Sequence, residues 1–340
     1  MRFRQLDRRG CVPRIVKAKT WTALLIVYVV WGSTYLAIRI AIETLPPFLM
    51  GGVRFLIAGG ALYAWAVRRG DQTNDRPGRD EWRSAAIVGA GLFLGGNGGV
   101  VFAESRIASG VTAVLVATLS LWLPLLAWIF YGERPSRLAM IGLPLGFGGV
   151  ALLIGPFETS GIDPVGAGAC LLASLSWSAA SLYSRHAKLP ARTTVSTGMQ
   201  MLTGGVWMIL AGVLIGELGD VRPASFSTAS LGALGYLIVA GSLGAFTAYA
   251  WLIRHAPTSL VATYAYVNPV VAVVLGWAVA GEPITMRMVV AGAIIIVALV
   301  LIATGNRPAN IGRESWARTS SPSRSSTRHD STSSSPPVSD

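Results

Sequence analysis

The sequence predicts an all-α polytopic membrane protein with ten transmembrane helices, arranged as two inverted five-helix repeats. Three observations predict this fold class: a membrane-like composition, ten long apolar runs and an internal duplication. The 340 residues are 52% hydrophobic and only 13% charged, whereas soluble domains carry about a quarter charged residues. Glycine is frequent, at 39 residues, which is typical of helices that pack closely in lipid. This composition excludes an ordinary soluble domain.

Each of the ten apolar runs is long enough to cross a bilayer, which takes about 20 residues in a helix. The runs are continuous rather than alternating, and this favours helices over strands. The predicted spans are 21–42, 48–67, 84–104, 109–131, 137–155, 165–186, 195–215, 230–252, 257–280 and 287–304. Residues 1–20 form a basic segment before the first span. Residues 305–340 are rich in Ser, Thr and Pro, and we expect them to form a disordered tail.

The two halves of the chain are similar in sequence. Residues 258–302 match residues 109–153 at an offset of 149, and in each stretch two apolar runs are joined by a Gly-Glu pair. At an offset of 146, Trp177 falls on Trp31 and Gln200 falls on Arg54. The repeats are therefore assigned to 21–155 and 165–304. Each repeat has five spans, an odd number, so the second repeat begins on the opposite side of the membrane and is inverted.

Basic residues determine the predicted orientation. With alternating spans, 23 Lys and Arg residues fall on one side and four on the other. The side with the excess faces the cytoplasm, so both termini are expected there. The net charge of +12 is thus interpreted as an orientation signal that also contacts anionic membrane lipids, and not as a nucleic-acid-binding surface.

Two ionisable side chains within the spans are candidates for transport chemistry. Glu104 ends the third span seven residues after Asn97, so both can point into one cavity, and Glu104 could bind a proton or cation. The alternative is that Glu104 lies at the interface, solvated or paired with Arg106. Arg54 lies in the second span, where it either contacts substrate or a carboxylate, or extends to the outer surface.

Aromatic and amide side chains supply further candidates. Trp31, Tyr35 and Arg39 share one face of the first span, and Trp177 is the equivalent tryptophan in the sixth span. These side chains either line a cavity between the repeats or contribute to helix packing and to the membrane interface. In the ninth span, Tyr264, Tyr266 and Asn268 precede Pro269. Pro124 similarly interrupts the fourth span, and broken helices at matching places in two repeats point to a transporter site. The alternative is a kinked packing helix.

The Gly-Glu pairs and several absent motifs supply the remaining expectations. Glu133 and Glu282 each follow a span and are expected to organise a turn or to cap the next helix. No Walker A sequence, HExxH motif or deep histidine is present, so we expect no cofactor, no metal and no catalytic residues. These absences also weigh against a membrane-embedded enzyme acting on lipid intermediates.

Particular stretches resemble the EamA type of the drug/metabolite transporter superfamily. WGSTYLAIRIAIETLPPFLMGGVRFLIAGG resembles its first two helices. NGGVVFAESRIASGVTAVLVAT and PTSLVATYAYVNPVVAVVLG are similar to its third-to-fourth and ninth helices. The resemblance covers about residues 20–304 and is strongest to inner-membrane exporters. It implies ten helices, cytoplasmic termini, export of small metabolites and a cavity between the repeats. It also implies that Tyr249 is one of the residues that line this cavity.

The sequence therefore predicts a secondary transporter of the bacterial inner membrane. Its expected substrates are amino acids, related metabolites or drugs, and its expected coupling ion is a proton or another cation. The substrate and transport candidates are Trp31, Tyr35, Arg54, Asn97, Glu104, Trp177, Tyr249, Tyr264, Tyr266 and Asn268. A membrane-embedded enzyme and a passive channel are the alternatives.

Overall fold

The structure is a computed structural model that describes residues 14–69, 77–155, 162–256, 258–261 and 263–305. Most of the basic N-terminal segment and the tail beyond residue 305 lie outside the described residues. Helices account for nearly all of what is described. They are α1 (Arg14–Ala41), α2 (Pro47–Arg68), α3 (Arg79–Glu104), α4 (Ser109–Val116 and Leu119–Tyr131), α5 (Arg137–Ile154), α6 (Pro164–Ser184), α7 (Thr193–Leu214), α8 (Thr228–Tyr236, Leu237–Gly244 and Ala245–His255), α9 (Thr258–Val261 and Tyr264–Ala280) and α10 (Met286–Gly305).

Within these ranges, nine helices are long and apolar enough to cross a membrane. The exception is α9, for which the sequence predicts a span over 257–280 and which has a shorter apolar helix at Tyr264–Ala280. Large apolar side chains are exposed on the outside of the bundle, such as Leu214 at 84% and Phe130 at 71%. Apolar surface of this extent fits contact with lipid rather than water.

The helices α4 and α9 are both interrupted, although not at their prolines. Pro124 and Pro269 lie inside continuous helical segments. Each segment begins five residues before its proline, directly after Thr118 or Thr263. The hydroxyl of each threonine donates to the carbonyl three residues earlier, on Leu115 or Leu260. Both interruptions therefore lie one to two turns before the proline of their helix. At the offset of 149 they are displaced from each other by about one turn, since Thr263 falls on Val114 rather than on Thr118.

Glycine ends both of these helices. Gly132 and Gly281, the glycines of the two Gly-Glu pairs, have φ values of 69° and 67°. This left-handed conformation is readily adopted only by glycine, and it terminates a helix. The repeated Gly-Glu pair therefore marks the end of α4 and of α9.

Two π-helical segments, which no sequence signal predicts, lie at equivalent places in the two halves. Residues Ala90–Gly98 of α3 and Leu237–Gly244 of α8 form wider turns than an α-helix. π-helical turns are rare and occur frequently at functional sites. Both segments face the interior of the bundle, where the candidate site lies.

Helix packing follows the duplication. The helix pairs α2 with α7, α4 with α9 and α5 with α10 each join equivalent helices of the two halves. The helix α1 packs on α8 and α9, and correspondingly α6 packs on α3 and α4. These helix pairs are therefore preserved when the two halves are exchanged.

Glycines allow the central pair α2 and α7 to approach closely. A Cβ atom on Gly59 would lie 2.8 Å from the amide nitrogen of Leu202 and 3.0 Å from the carbonyl oxygen of Gly198. A Cβ on Gly205 would lie 3.0 Å from the carbonyl oxygen of Gly52. Small residues at such interfaces let helix backbones meet in a membrane, where van der Waals packing holds helices together.

Glycines in α3 and α5 also meet neighbouring helices. Gly91 lies against Ala180 of α6, and Gly95 lies against Ser176 of the same helix. The hydroxyl of Ser176 donates to the Gly91 carbonyl at 2.9 Å. In α5, Gly142 lies against Ala298 and Ile302 of α10. These glycines therefore mark two close helix contacts.

Asp163 fixes the start of α6. Its carboxylate accepts hydrogen bonds from the amides of Val165 and Gly166 at 2.7 and 3.1 Å, and from the Arg106 guanidinium at 3.0 Å. The amide of Gly166 and the Arg106 guanidinium hold the pKa of Asp163 below its usual range. A lowered pKa in the folded state stabilises the protein above the ordinary aspartate pKa, and this stabilisation is lost as the pH falls through the lowered pKa. Arg106 pairs with Asp163 and not with Glu104.

Candidate functional site

A cavity of about 340 Å³ lies inside the bundle, among helices from both halves. Its volume is at the lower end of the range for small-molecule sites, about 300–1,000 Å³. Eight of the ten candidate residues line it: Trp31, Tyr35, Arg54, Asn97, Trp177, Tyr249, Tyr264 and Asn268. The equivalent pairs Trp31 with Trp177 and Arg54 with Gln200 all face this one cavity. Residues that match in the duplicated sequence thus meet in space.

Arg54 is buried in the wall of this cavity, with 7% of its surface exposed. Its Nε donates to the Ser242 hydroxyl at 3.0 Å, and its Cζ lies 4.7 Å from the centre of the Phe55 ring. The guanidinium therefore points inward and does not extend to the outer surface. Ser242 belongs to the π-helical segment of α8, and no pattern in the sequence distinguishes it from other serines.

Three aromatic rings form a cluster on the cavity wall. Trp31 lies 5.1 Å from Tyr249 and 5.2 Å from Tyr264, and the two tyrosines lie 5.6 Å apart, between ring centres. The indole Nε1 of Trp31 donates to the Gly241 carbonyl at 3.2 Å. The cluster joins α1, α8 and α9, and its tilted and edge-on contacts are favourable ring geometries.

Two amide side chains hold the irregular backbone around the cavity. Asn97 donates to the Leu92 carbonyl at 3.2 Å within the π-helical segment of α3. With its amide assigned from the surrounding hydrogen bonds, Asn268 donates to the carbonyls of Tyr264 and Tyr28 at 3.2 and 3.3 Å. Polar groups at this depth need such partners because the membrane offers no water.

Glu104 lies beside the cavity rather than on its wall. It is fully buried, and neither carboxyl oxygen has a hydrogen-bond partner among the described residues. Arg39 donates to the main-chain carbonyl of Glu104 and not to its carboxyl group. Glu282, Arg39 and Arg54 are all close enough to interact with Glu104 electrostatically. The Glu104 carboxyl group therefore has two cations and one other acidic group as electrostatic neighbours, and it forms no ion pair with either arginine.

Tyr266 points away from the cavity. Its hydroxyl donates to the Leu299 carbonyl of α10 at 3.2 Å, and its ring packs against the apolar cluster between α5 and α10. Tyr264 and Tyr266 are two residues apart on a helix, which puts them on different faces. Several polar residues that do line the cavity are missed by sequence reasoning: Thr34, Ser181, Thr197, Gln200 and Ser242.

Glu282 does not cap the helix that follows it. Its two carboxylate oxygens accept hydrogen bonds from the amides of Ser109 and Gly110 at 2.7 and 3.0 Å, at the start of α4. The following helix α10 is instead capped by Thr285, whose hydroxyl accepts from Met288. Glu282 thereby ties the second half of the chain to the first.

Glu217 makes the same kind of contact with α2. Its carboxylate accepts from the amides of Phe48 and Leu49 at 3.0 and 2.8 Å. These amides belong to the first turn, where backbone donors have no partner within the helix. Glu133, the equivalent of Glu282 in the first repeat, is exposed, and Ser136 caps the helix after it. Glu217 is buried and Glu282 is partly buried, and both carboxylates of the second half cap helices of the first half.

The described residues define a polytopic membrane protein with a cavity, lined by apolar and polar side chains, that is shared by two homologous halves. They contain no group of three or more His, Cys, Asp or Glu residues that could hold a metal ion. Residues 19–155 and 164–304 each match the EamA-like transporter family. The chain belongs to this family and is a membrane transporter.

Individual relatives agree with the family assignment. The chain is 37% identical to the inner membrane transporter YedA of Escherichia coli strain K12, itself uncharacterized, over 90% of this chain and 94% of YedA. It is 24% identical to the uncharacterized transporter YvbV of Bacillus subtilis strain 168, over 85% of this chain and 93% of YvbV. A solved crystal structure, 21% identical, has the same fold with a TM-score of 0.58, over 86% of this chain and 99% of its own. The family and subgroup resemblance of the sequence is thus confirmed.

Proposed function

We propose that the protein is a secondary active transporter that exports small metabolites, such as amino acids and related compounds or drugs. It works in the bacterial inner membrane with both termini in the cytoplasm. The observation that carries this proposal is the cavity of about 340 Å³ whose wall includes polar residues from both halves. A site between two repeats is typical of secondary transporters, in which the halves move around it.

The two halves are proposed to be inverted repeats of five spans each, with α9 as the ninth of ten spans. An odd number of spans per half supports this topology, and so do helix pairs that are preserved when the halves are exchanged, such as α2 with α7 and α5 with α10. Alternating access then follows when one half rocks against the other and opens the cavity first to one side and then to the other.

Glu217 and Glu282 are proposed to close the periplasmic side. In the proposed orientation, the first turns of α2 and α4 both lie at that face, and each carboxylate fastens one of them to the second half. These hydrogen bonds are charge-assisted, and they also lie at the positive ends of helix dipoles. Opening toward the periplasm would have to break them.

Replacing Glu282 with alanine is expected to lower the free energy of unfolding by about 1–3 kcal/mol, because two first-turn amides of α4 lose their acceptor. Thermal unfolding of the purified protein in detergent measures the change. The matched control is Glu133→Ala, which removes the exposed equivalent carboxylate and should stay within about 0.5 kcal/mol of the parent. Equal decreases in the free energy of unfolding for the two variants would show that the Glu282 contacts do not hold the halves together.

Glu104 is proposed as the carboxyl group that binds the coupling proton or cation. Its complete burial and lack of hydrogen-bond partners among the described residues support this role. An ionisable group at membrane depth is costly to bury, and such groups commonly serve ion or proton pathways. Rearrangement of Arg39 or Arg54 during transport would change the free energy of its charged form.

Counterflow in proteoliposomes tests the proposed function. Vesicles loaded with unlabelled amino acids, or in turn with organic acids, sugars, nucleosides or drugs, are expected to accumulate the labelled solute transiently and saturably. This accumulation requires a carrier, since a passive channel only equilibrates the label. Flux without counterflow would indicate the channel, and chemical conversion of a lipid or solute would indicate the enzyme. Failure of every solute class would contradict the carrier.

A further inference from the structure

The charge of the cavity wall restricts what the cavity can accept. Arg54 is the one charged side chain among the described lining residues, which include no aspartate or glutamate. The ion pairs among the described residues join Arg106 with Asp163 and Lys188 with Asp80, and both are at the surface. Arg54 therefore brings a positive charge to the cavity that no lining carboxylate neutralises.

Glu104 does not cancel this charge. It lies off the cavity wall, and neither of its carboxyl oxygens has a hydrogen-bond partner among the described residues, so it forms no ion pair with Arg54. Its electrostatic neighbours are Glu282 and Arg39 as well as Arg54. A buried cation without a counterion is costly in a membrane protein, and a bound anion would offset that cost.

Arg54 and the aromatic cluster of Trp31, Tyr249 and Tyr264 lie side by side. Gly241 accepts the hydrogen bond of the Trp31 indole at 3.2 Å, and the next residue, Ser242, accepts that of Arg54 at 3.0 Å. Two consecutive residues of the π-helical segment thus hold the cation and the largest ring. One small molecule can contact both at once, with an anionic end and an apolar or planar body.

We propose that the cavity selects small organic monocarboxylates that lack an ammonium group. The guanidinium of Arg54 binds the carboxylate, since its planar donors match the two carboxylate oxygens. The rings of Trp31, Tyr249 and Tyr264 hold the apolar body. An α-amino acid is a poorer fit because its ammonium group would lie in a cavity whose wall carries a cation and no acidic residue. This proposal rests on the proposed transport function and narrows its substrates, at the same cavity, from small metabolites in general to monocarboxylates, with α-amino acids disfavoured.

Four probes with one phenyl ring test this selection: 3-phenylpropanoate, 3-phenylpropanamide, phenylalanine and 2-phenylethylamine. Their affinities for the purified full-length protein in nanodiscs are measured by tryptophan fluorescence, with Trp31 in the expected contact. The carboxylate is expected to bind about tenfold or more tighter than the amide, as for a hydrogen bond to a charged partner. Phenylalanine and the amine are expected to bind more weakly than the carboxylate.

Variants at Arg54 assign the preference to this side chain. Arg54→Gln should remove the preference for the carboxylate over the amide, and Arg54→Lys should retain part of it, since lysine keeps the charge without the planar fork. Arg106→Gln, which changes an arginine of the surface ion pair, should leave the preference unchanged. Size-exclusion profiles of the variants establish that each is folded.

The binding assay separates this proposal from the transport function. Tighter binding of the amide, phenylalanine or the amine, no binding of any probe, or a carboxylate preference that survives in folded Arg54→Gln would overturn the substrate class. None of these results would affect the carrier itself, because counterflow tests it with other classes of solute. A carboxylate preference that is lost only at Arg54 would support the assignment.

Discussion

Replacing Gly59 with valine is expected to prevent most of the protein from folding. The Cβ of the new side chain would lie 2.8 Å from the Leu202 amide nitrogen and 3.0 Å from the Gly198 carbonyl oxygen. These are backbone atoms, so no side-chain rotation relieves the contact and α2 must move away from α7. We expect a destabilisation of about 3 kcal/mol or more, at the upper end for overpacked interiors.

The neighbouring glycine supplies a matched control. A Cβ on Gly60 would meet only a methyl group of Leu202, at 3.8 Å, so Gly60→Val should fold nearly as well as the parent. Fluorescence-detected size exclusion of tagged protein from membranes measures the folded fraction of each variant. Similar folded fractions for the valine variants at 59 and 60 would contradict the close packing of α2 on α7.

Replacing Glu104 with glutamine is expected to abolish transport driven by a proton gradient. Glutamine has nearly the same shape but cannot exchange a proton, so the buried group can no longer couple transport to the gradient. Arg39 should still bind the main-chain carbonyl at this position, and the fold should be retained. Uptake of a substrate identified by counterflow into proteoliposomes, with and without an imposed pH difference, measures the loss.

Glu43→Gln is the control for Glu104. Glu43 directly follows α1, near Arg39 in sequence, and it is exposed. This variant should keep the pH-driven uptake of the parent. If Glu104→Gln also keeps it, Glu104 serves only to support the structure, and the coupling site lies elsewhere.

The apolar runs and the internal duplication make much of the fold predictable from the sequence. Apolar runs of about 20 residues predict the spans because lipid leaves the backbone few alternatives to a helix. The Gly-Glu pairs predict helix ends because glycine accepts a left-handed conformation at the end of a helix. The duplication matches Trp31 with Trp177 and Arg54 with Gln200, and all four residues line the cavity. Gln200 is nevertheless not among the candidates from the sequence.

Other features depend on contacts that sequence alone does not reveal. The acceptor for the first turn of α4 is Glu282, more than 170 residues away, whereas local reasoning assigns that carboxylate to the next helix. The π-helical segments depend on tertiary packing around glycine-rich stretches that also suit an ordinary helix. Proximity in sequence groups Tyr266 with Tyr264, although a helix turns by about 200° between them.

The central claim is that the cavity opens to one side of the membrane at a time. Thr34→Cys introduces a thiol on the cavity wall, in a chain whose Cys11 is replaced by serine and whose Cys170 is buried. Initial rates of labelling by a membrane-impermeant maleimide are measured in right-side-out and inside-out vesicles. Ser225→Cys, exposed between α7 and α8, reports which face is periplasmic.

The measurement is made with the native Glu217 and Glu282, and again in the double variant Glu217→Ala/Glu282→Ala, which lacks both carboxylate caps. Alternating access predicts that the introduced thiol reacts from the cytoplasmic face when the caps are present, and mainly from the periplasmic face in the double variant. Equal labelling from both faces in the same protein would contradict alternating access and indicate a channel. Labelling from neither face in either protein would show a sealed cavity that carries no transport pathway.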